Sequence, residues 1–331
     1  MAFNASSIKG CLLGCATGDA LGFIVEGYGP DVCGDYVKNI VKKQRVCPNP
    51  RHPQFPFGQY SDDTQLTREL LISMTQTDCR IDAAAYGLRI ALLFVPGAYR
   101  VVGYGGQTAR GADKIRAGVH PSASGCAQGN GNGGAMRSAI IGLLVEPARI
   151  TDVARTLSAI THASPRGMDG SVAVAWAAHY AYKTRDAPFD VAGFLEAAAH
   201  AVREADFAAH IIRMVTWDQD PALAAKNIIA IGKGYGEQEW HGISCGVVQT
   251  VLWALWAVTR APDSFVDCVA EAIRVGGDVD TTAAIAGAIV GARLGVESIP
   301  EVWRRELTDV GEWRAKDLEA LVDRVSSSRD A

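Results

Sequence analysis

The sequence has no group of cysteines or histidines spaced to hold a zinc ion or to work as a redox pair. Its eight cysteines are scattered: Cys11 and Cys15 stand one helical turn apart, as packing residues do, and Cys33, Cys47, Cys79, Cys126, Cys245 and Cys268 are isolated. An even count does not make a disulfide framework in a chain of 331 residues, so free thiols in a reducing, cytoplasmic compartment are expected. None of the seven histidines forms a ligand-spaced pair. Excess positive charge is also missing. The net charge is −4, which argues against nucleic-acid binding, since that needs a basic face. Long apolar runs are absent too. Asp19 cuts the N-terminal one, so no secretory leader is expected, and Arg293 interrupts the alanine-rich run from Ala283, so no bilayer span is expected. There is no period-two alternation, no internal repeat and no low-complexity linker. Without a Gly-x-Ser-x-Gly elbow, covalent serine catalysis has no support.

What is present is a helical chain. Hydrophobic residues make up 48% and charged residues 21%, enough for a sizeable core. Ser6 or Ser7 is placed to cap a first helix, with Ile8, Cys11, Leu12 and Cys15 on one buried face. Gly14, Gly18 and Gly22 on the same run are costly in an isolated helix and imply close approach to another backbone. Ser61 caps a helix carrying Leu66, Leu70 and Met74. Another spans 83–94 and stops at Pro96; one opens at Gly131–Arg137 and ends at Pro147; one runs from Thr151 to about Ile160. Ser164 with Pro165 starts the next. Helical patterns continue over 190–206, 222–231 and 242–258. Asp263 caps a helix that stops at Gly276, and two short helices close the chain before a frayed tail, 326–331. Two stretches, Phe23–Tyr60 and Gly97–Asn132, lack a period; the first is expected to be a mobile substrate-facing loop. The expectation is an all-α chain forming one domain over 1–331, with long loops gathered at one end.

Two acidic turns carry the chemistry. Gly276-Gly277-Asp278-Val279-Asp280-Thr281-Thr282 precedes the alanine-rich run, and Ser61-Asp62-Asp63-Thr64 opens a helix far upstream. A cap explains Ser61-Asp62-Asp63 taken alone. It does not explain the second turn, because a cap needs one oxygen and this turn offers several. If the turns meet, four carboxylates crowd together with no Lys or Arg among them, and like charges so close need a positive partner. Mg²⁺ or Mn²⁺ suits such oxygen ligands, and Ser61, Asp62, Asp63, Asp278, Asp280 and Thr281 suffice for two ions. Gly131-Asn132-Gly133-Gly134, read as lying ahead of a helix, offers unhindered N–H groups for a phosphate, although a tight turn accounts for it equally well. For His162, in Thr161-His162-Ala163-Ser164-Pro165, a structural hydrogen bond is the simpler account. Tyr235, between Gly234 and Gly236, is a candidate to stack on a base.

Five stretches in this order resemble the ADP-ribosylglycohydrolase family, whose members include the dinitrogenase reductase-activating glycohydrolase and the ADP-ribosylarginine hydrolases. They are Gly10–Gly14 through Gly18-Asp19-Ala20-Leu21-Gly22 with Glu26; Ser61-Asp62-Asp63-Thr64-Gln65; Gly131 to Arg137; Thr161-His162; and Gly277-Asp278-Val279-Asp280-Thr281. The resemblance implies an orthogonal multi-helix bundle around a centre of two Mg²⁺ (or Mn²⁺) ions held by Ser61, Asp62, Asp63, Asp278, Asp280 and Thr281. It implies an acidic residue, Glu26, on a mobile loop beside that centre. It places the diphosphate on the Gly131–Gly134 loop and substrate against His162. Serine stands at 61 and valine at 279, where many members have threonine. Serine keeps the hydroxyl a ligand needs. The implied activity is hydrolysis of an N-glycosidic ADP-ribosyl linkage, most simply to arginine, with Glu26, Asp62 and Asp280 as candidate catalytic residues and an ADP-ribosylated protein as partner. Two alternatives stand beside it. One is hydrolysis of another linkage (serine, O-acetyl-ADP-ribose or a nucleotide); the other is an immunity-type protein that occludes a cognate ADP-ribosyltransferase.

Overall fold

A computed structural model describes residues 4–95, 97, 101–217, 220–237 and 240–327. Among them are sixteen α-helices and no sheet, only isolated extended pairings. The helices are α1 (Ala5–Phe23), α2 (Pro30–Tyr36), α3 (Asp62–Thr75), α4 (Ala83–Leu93), α5 (Gly106–Arg116), α6 (Ile141–Leu144), α7 (Pro147–Ala159) and α8 (Pro165–Lys183). They continue as α9 (Val191–Ala199), α10 (Ala205–Arg213), α11 (Pro221–Gly234), α12 (Val247–Arg260), α13 (Phe265–Ile273), α14 (Val279–Leu294), α15 (Glu301–Arg304) and α16 (Ala315–Ser327). One hydrophobic cluster runs through the molecule from Ile8 to Val325. Among the described residues no helix is long and apolar enough to cross a membrane.

The centre of the fold is the antiparallel pair α1 and α14. A Cβ built on Gly10 would lie 2.2 Å from the Gly291 carbonyl oxygen. On Gly14 it would lie 2.2 Å from that of Gly287, and on Gly18 2.0 Å from that of Ala283. The glycines therefore allow the backbone approach that their spacing predicts. Close packing buries α1 on all sides rather than on one face, from Ser7 to Phe23 with Lys9 at the rim. Because the pair is antiparallel, the C-terminal end of α1 meets the N-terminal end of α14, and this brings Asp19 and Glu26 toward Asp278 and Asp280.

Several boundaries differ from the sequence reading for identifiable reasons. Asn4, not Ser6 or Ser7, caps α1, its side chain accepting the Ser7 N–H at 2.9 Å. Phe23–Tyr60 contains α2 and a π-helical turn at Val37–Val41, and Gly97–Asn132 contains α5; glycine and proline density concealed these helices. Gly131–Arg137 opens turns rather than a helix, since α6 begins only at Ile141. Pro147 sits in the first turn of α7 instead of ending the previous helix. The region 190–206 divides into α9 and the start of α10. Gly246, not Gly242, precedes the first turn of α12. Ser264, not Asp263, caps α13; Asp263 pairs with Arg293, which explains a cation inside the alanine-rich run. Ser164 caps α8 as expected. Pro96 and residues 328–331 of the expected tail lie outside the described residues, while Ser326 and Ser327 end α16.

Candidate metal and substrate site

The acidic turn ahead of α14 is held by backbone geometry that only glycine supplies. Gly276 and Gly277 have φ of +75° and +89°. A Cβ on Gly277 would also lie 2.0 Å from the Ile243 carbonyl oxygen. That carbonyl accepts the Asp278 N–H at 2.8 Å, and the Tyr28 carbonyl accepts the Gly277 N–H at 2.9 Å. The loop bearing Glu26 and the turn bearing Asp278 are therefore hydrogen-bonded to each other.

The other acidic turn is capped from outside. Ser61 occupies the N-cap position of α3, but its side chain makes no capping bond. Asp19 of α1 performs that role. Its carboxylate accepts the Ser61 N–H at 2.9 Å, the Thr64 N–H at 3.1 Å and the Thr64 hydroxyl at 2.6 Å. This frees Asp62 and Asp63 to face the cavity. Asp19, which positions the site from behind, is one residue that the sequence reading leaves without a role. Its position inside the Gly18–Gly22 motif was a signal that it sits at a close helix contact.

Both turns line one cavity of about 300 Å³, which contains Glu26, Asp62, Asp63, Asp278, Asp280 and Thr281. Ligand oxygens of Glu26, Asp278 and Asp280 lie within 4.8 Å of one another. Ser61 does not line the cavity; its hydroxyl donates to Asp63 at 3.2 Å. Thr281 donates its hydroxyl to Asp278 at 3.4 Å, and the Asn132 amide donates to the same carboxylate at 2.5 Å. Gly131, Gly133 and His162 form another part of the wall, joined by Gln107, Thr108 and Arg110 of α5, by Trp240 and by Cys245. These last five were not predicted, because α5 was hidden in a glycine-rich stretch and Trp240 stands in an irregular one. Gly134 and Tyr235 are not among the lining residues. Tyr235 lies instead with its ring under the Arg166 guanidinium, at 4.5 Å, and edge-on to His210. A larger groove, about 760 Å³, lies between α11, α12 and Pro30, but Asp220 is its one carboxylate among the described residues.

The electrostatics call for a cation. Burial, reinforced by the neighbouring carboxylates, pushes Asp62, Asp63 and Asp280 well above the usual carboxylate range. Burial also raises Asp278. Burial and the charge of Asp278 lift Glu26 to about 7. Asp63 Oδ1 is buried with no hydrogen-bond partner. A buried carboxylate oxygen without a partner, among carboxyls raised by burial, suits a positive ligand. All the donors are oxygens, so the set fits a hard divalent cation such as Mg²⁺.

The chain is similar to known proteins along its whole length. The family model described as ADP-ribosylglycohydrolase matches residues 2–331. The chain is 26% identical over 363 residues to "ADP-ribosylhydrolase ARH3" of Xenopus tropicalis, covering 99% of each. It is 29% identical over 327 residues to "Uncharacterized protein YegU" of Escherichia coli (strain K12), covering 92% of each. A solved structure titled "ADP-ribosylglycohydrolase-related protein complex" shares the fold, with a TM-score of 0.73 at 24% identity over 98% of both chains. With the family model spanning nearly every residue, this helical chain belongs to the ADP-ribosylglycohydrolase family.

Proposed function

We propose that this glycohydrolase is metal-dependent and releases ADP-ribose from mono-ADP-ribosylated protein, with arginine as the modified side chain. The observation that carries the reading is the meeting of Glu26, Asp278 and Asp280 within 4.8 Å, in the same cavity as Asp62 and Asp63. Asp62, Asp63, Asp278, Asp280 and Thr281, which line the cavity, would hold two Mg²⁺ ions, with Mn²⁺ as the substitute; Ser61, off the cavity wall and donating to Asp63, would join them only by turning its hydroxyl away from Asp63. When bound, such ions orient sugar hydroxyls and supply a water of lowered pKa.

The chain's own residues do the rest. The carboxylates stabilise positive charge that develops at the anomeric carbon when the glycosidic bond breaks. Glu26, raised to about 7 in the metal-free protein by burial and the charge of Asp278, is the first candidate for acid–base work, with Asp62 and Asp280 next. Gly131, Asn132 and Gly133 with His162 form the part of the wall suited to the diphosphate. Eight free thiols suit a reducing, cytoplasmic compartment.

The test is incubation with mono-ADP-ribosyl-arginine and mono-ADP-ribosyl-serine proteins and O-acetyl-ADP-ribose, with and without Mg²⁺, scoring free ADP-ribose. Release from arginine only with Mg²⁺ is expected. Release from serine alone would overturn the acceptor, and full turnover in excess chelator would overturn the metal.

A further inference from the structure

Behind His162 lies a buried cation that the hydrolytic reading does not use. Arg137 is 3% exposed, and its Nε and Nη1 have no hydrogen-bond partner. Its Nη2 donates to the Thr161 hydroxyl at 2.7 Å and to the Leu157 carbonyl at 3.3 Å. The same Thr161 oxygen lies 2.8 Å from His162 Nδ1. Backbone bonds hold the pair in place. Cys126 N–H donates to the Thr161 carbonyl, and His162 N–H donates to the Ser158 carbonyl.

The proton positions follow from what each group can do. A guanidinium has donors only and keeps its protons, so Arg137 must be the donor to Thr161. The Thr161 hydroxyl, fully buried, then has one proton to place. His162 Nδ1 is the acceptor in reach. If Nδ1 instead carried the proton, two donors would point at the Thr161 oxygen and its own hydroxyl proton would be stranded in the interior. We propose that Arg137 and Thr161 form a relay that fixes His162 as the neutral ring with its proton on Nε2. His162 lines the cavity, and its Nε2 packs on Gly131 and Gly133, where an added Cβ would stand 3.1 and 3.0 Å from it. His162 is then a fixed hydrogen-bond donor to an oxygen of the ligand, and it has no free lone pair with which to act as a base. Arg137 and Thr161 are positioning residues. Burial, then Arg137, then Arg110 hold the ring's pKa near 3, in keeping with a neutral ring.

The relay itself is independent of which bond is hydrolysed; only the identity of the oxygen it serves rests on the proposed function. The test is side-chain ¹⁵N NMR of His162 in the 331-residue chain. The expected pattern is a neutral ring protonated on Nε2, unchanged between about pH 5 and pH 8. Thr161→Ser keeps the hydroxyl and should keep the pattern. Thr161→Val should lose it, and turnover should fall about 10–100-fold, as when an orienting partner is removed from behind a ligating residue. An Nδ1-protonated ring or an imidazolium in the unaltered protein would overturn the relay, and so would a Thr161→Val variant that retains the Nε2–H pattern. Should Thr161→Val not fold, the spectrum of the unaltered protein still decides. The Nε2–H pattern in a protein that releases no ADP-ribose would support the relay and count against the hydrolase reading alone.

Discussion

Asp19 and Thr64 stand 45 residues apart in the chain, yet the Thr64 hydroxyl donates to the Asp19 carboxylate at 2.6 Å. Through this bond and two backbone N–H groups, α1 caps α3 and sets the position of Asp62 and Asp63. Asp19→Ala should therefore destabilise the fold by about 2–4 kcal/mol, combining a lost cap with stranded donors. Asp19→Asn, which keeps an acceptor oxygen, should cost about half as much. Urea unfolding midpoints with an unchanged slope measure both. An Asp19→Ala midpoint equal to that of the parent would remove Asp19 from this role.

The cluster also links stability to pH. Burial is the first cause that raises Glu26 from 4.5 to about 7 and Asp19 from 3.8 to about 6. A carboxyl whose folded pKa is raised binds more protons in the folded state. Its contribution is fully present below the unfolded value and is lost as pH rises through the folded one. The metal-free protein should thus lose stability between about pH 4 and pH 7. A divalent cation needs the ionised carboxylates, so its stabilising effect should grow as pH rises. Thermal melts with chelator and with Mg²⁺, at about pH 5 and pH 8, test this. A Mg²⁺-induced rise in Tm that is equal at both pH values contradicts it.

The α1–α14 contact leaves no room for a methyl group. Gly18→Ala would place a Cβ 2.0 Å from the Ala283 carbonyl oxygen, so the helices must separate next to Asp280. The expected cost is about 3 kcal/mol, the upper end for overpacking, together with weaker Mg²⁺ binding. Gly34 in α2 is the control, since nothing lies within 4 Å of an added Cβ. Gly34→Ala should be neutral, or stabilise by about 0.4–1 kcal/mol. Calorimetry of both variants with and without Mg²⁺ separates the outcomes.

The parts of the site that were legible in the sequence are those whose side chains carry the signal themselves. Asp62, Asp63, Asp278 and Asp280 are too many carboxylates for capping, and Gly14, Gly18 and Gly22 are too many glycines for a helix without a close neighbour. Site residues whose place depends on a distant element are not legible. Asp19 reads as an interruption of an apolar run, and its capping of α3 exists only once α1 and α3 pack. Gln107, Thr108 and Arg110 enter the cavity because α5 forms inside a glycine-rich stretch whose local propensity favours turns. Tyr235 reads as a loop aromatic, and its ring instead meets Arg166, a contact that local sequence does not encode.

Glu26 and Asp280 share one corner of the cavity, and paired substitutions should separate their roles. Asp280 is buried at the start of α14, and its carboxylate accepts the Thr281 N–H at 2.9 Å. Asp280→Asn keeps that shape but removes a charge from a site that needs negative oxygens for a cation. It should weaken Mg²⁺ binding and lower kcat by about 10²–10⁴, with circular dichroism unchanged. Glu26 is only partly buried and is joined to the Asp278 turn through the Gly27 N–H, which donates to the Gly277 carbonyl at 2.7 Å. Glu26→Gln leaves four carboxylates in the cavity, so Mg²⁺ should still raise the Tm. The proton transfer is lost instead: kcat should drop by about 10²-fold or more, and the limb of the pH–rate profile that Glu26 contributes should vanish. If both variants lose Mg²⁺ binding equally, Glu26 is a ligand rather than the proton-transfer group; if Asp280→Asn turns over at near-normal rates, Asp280 does not belong to the centre.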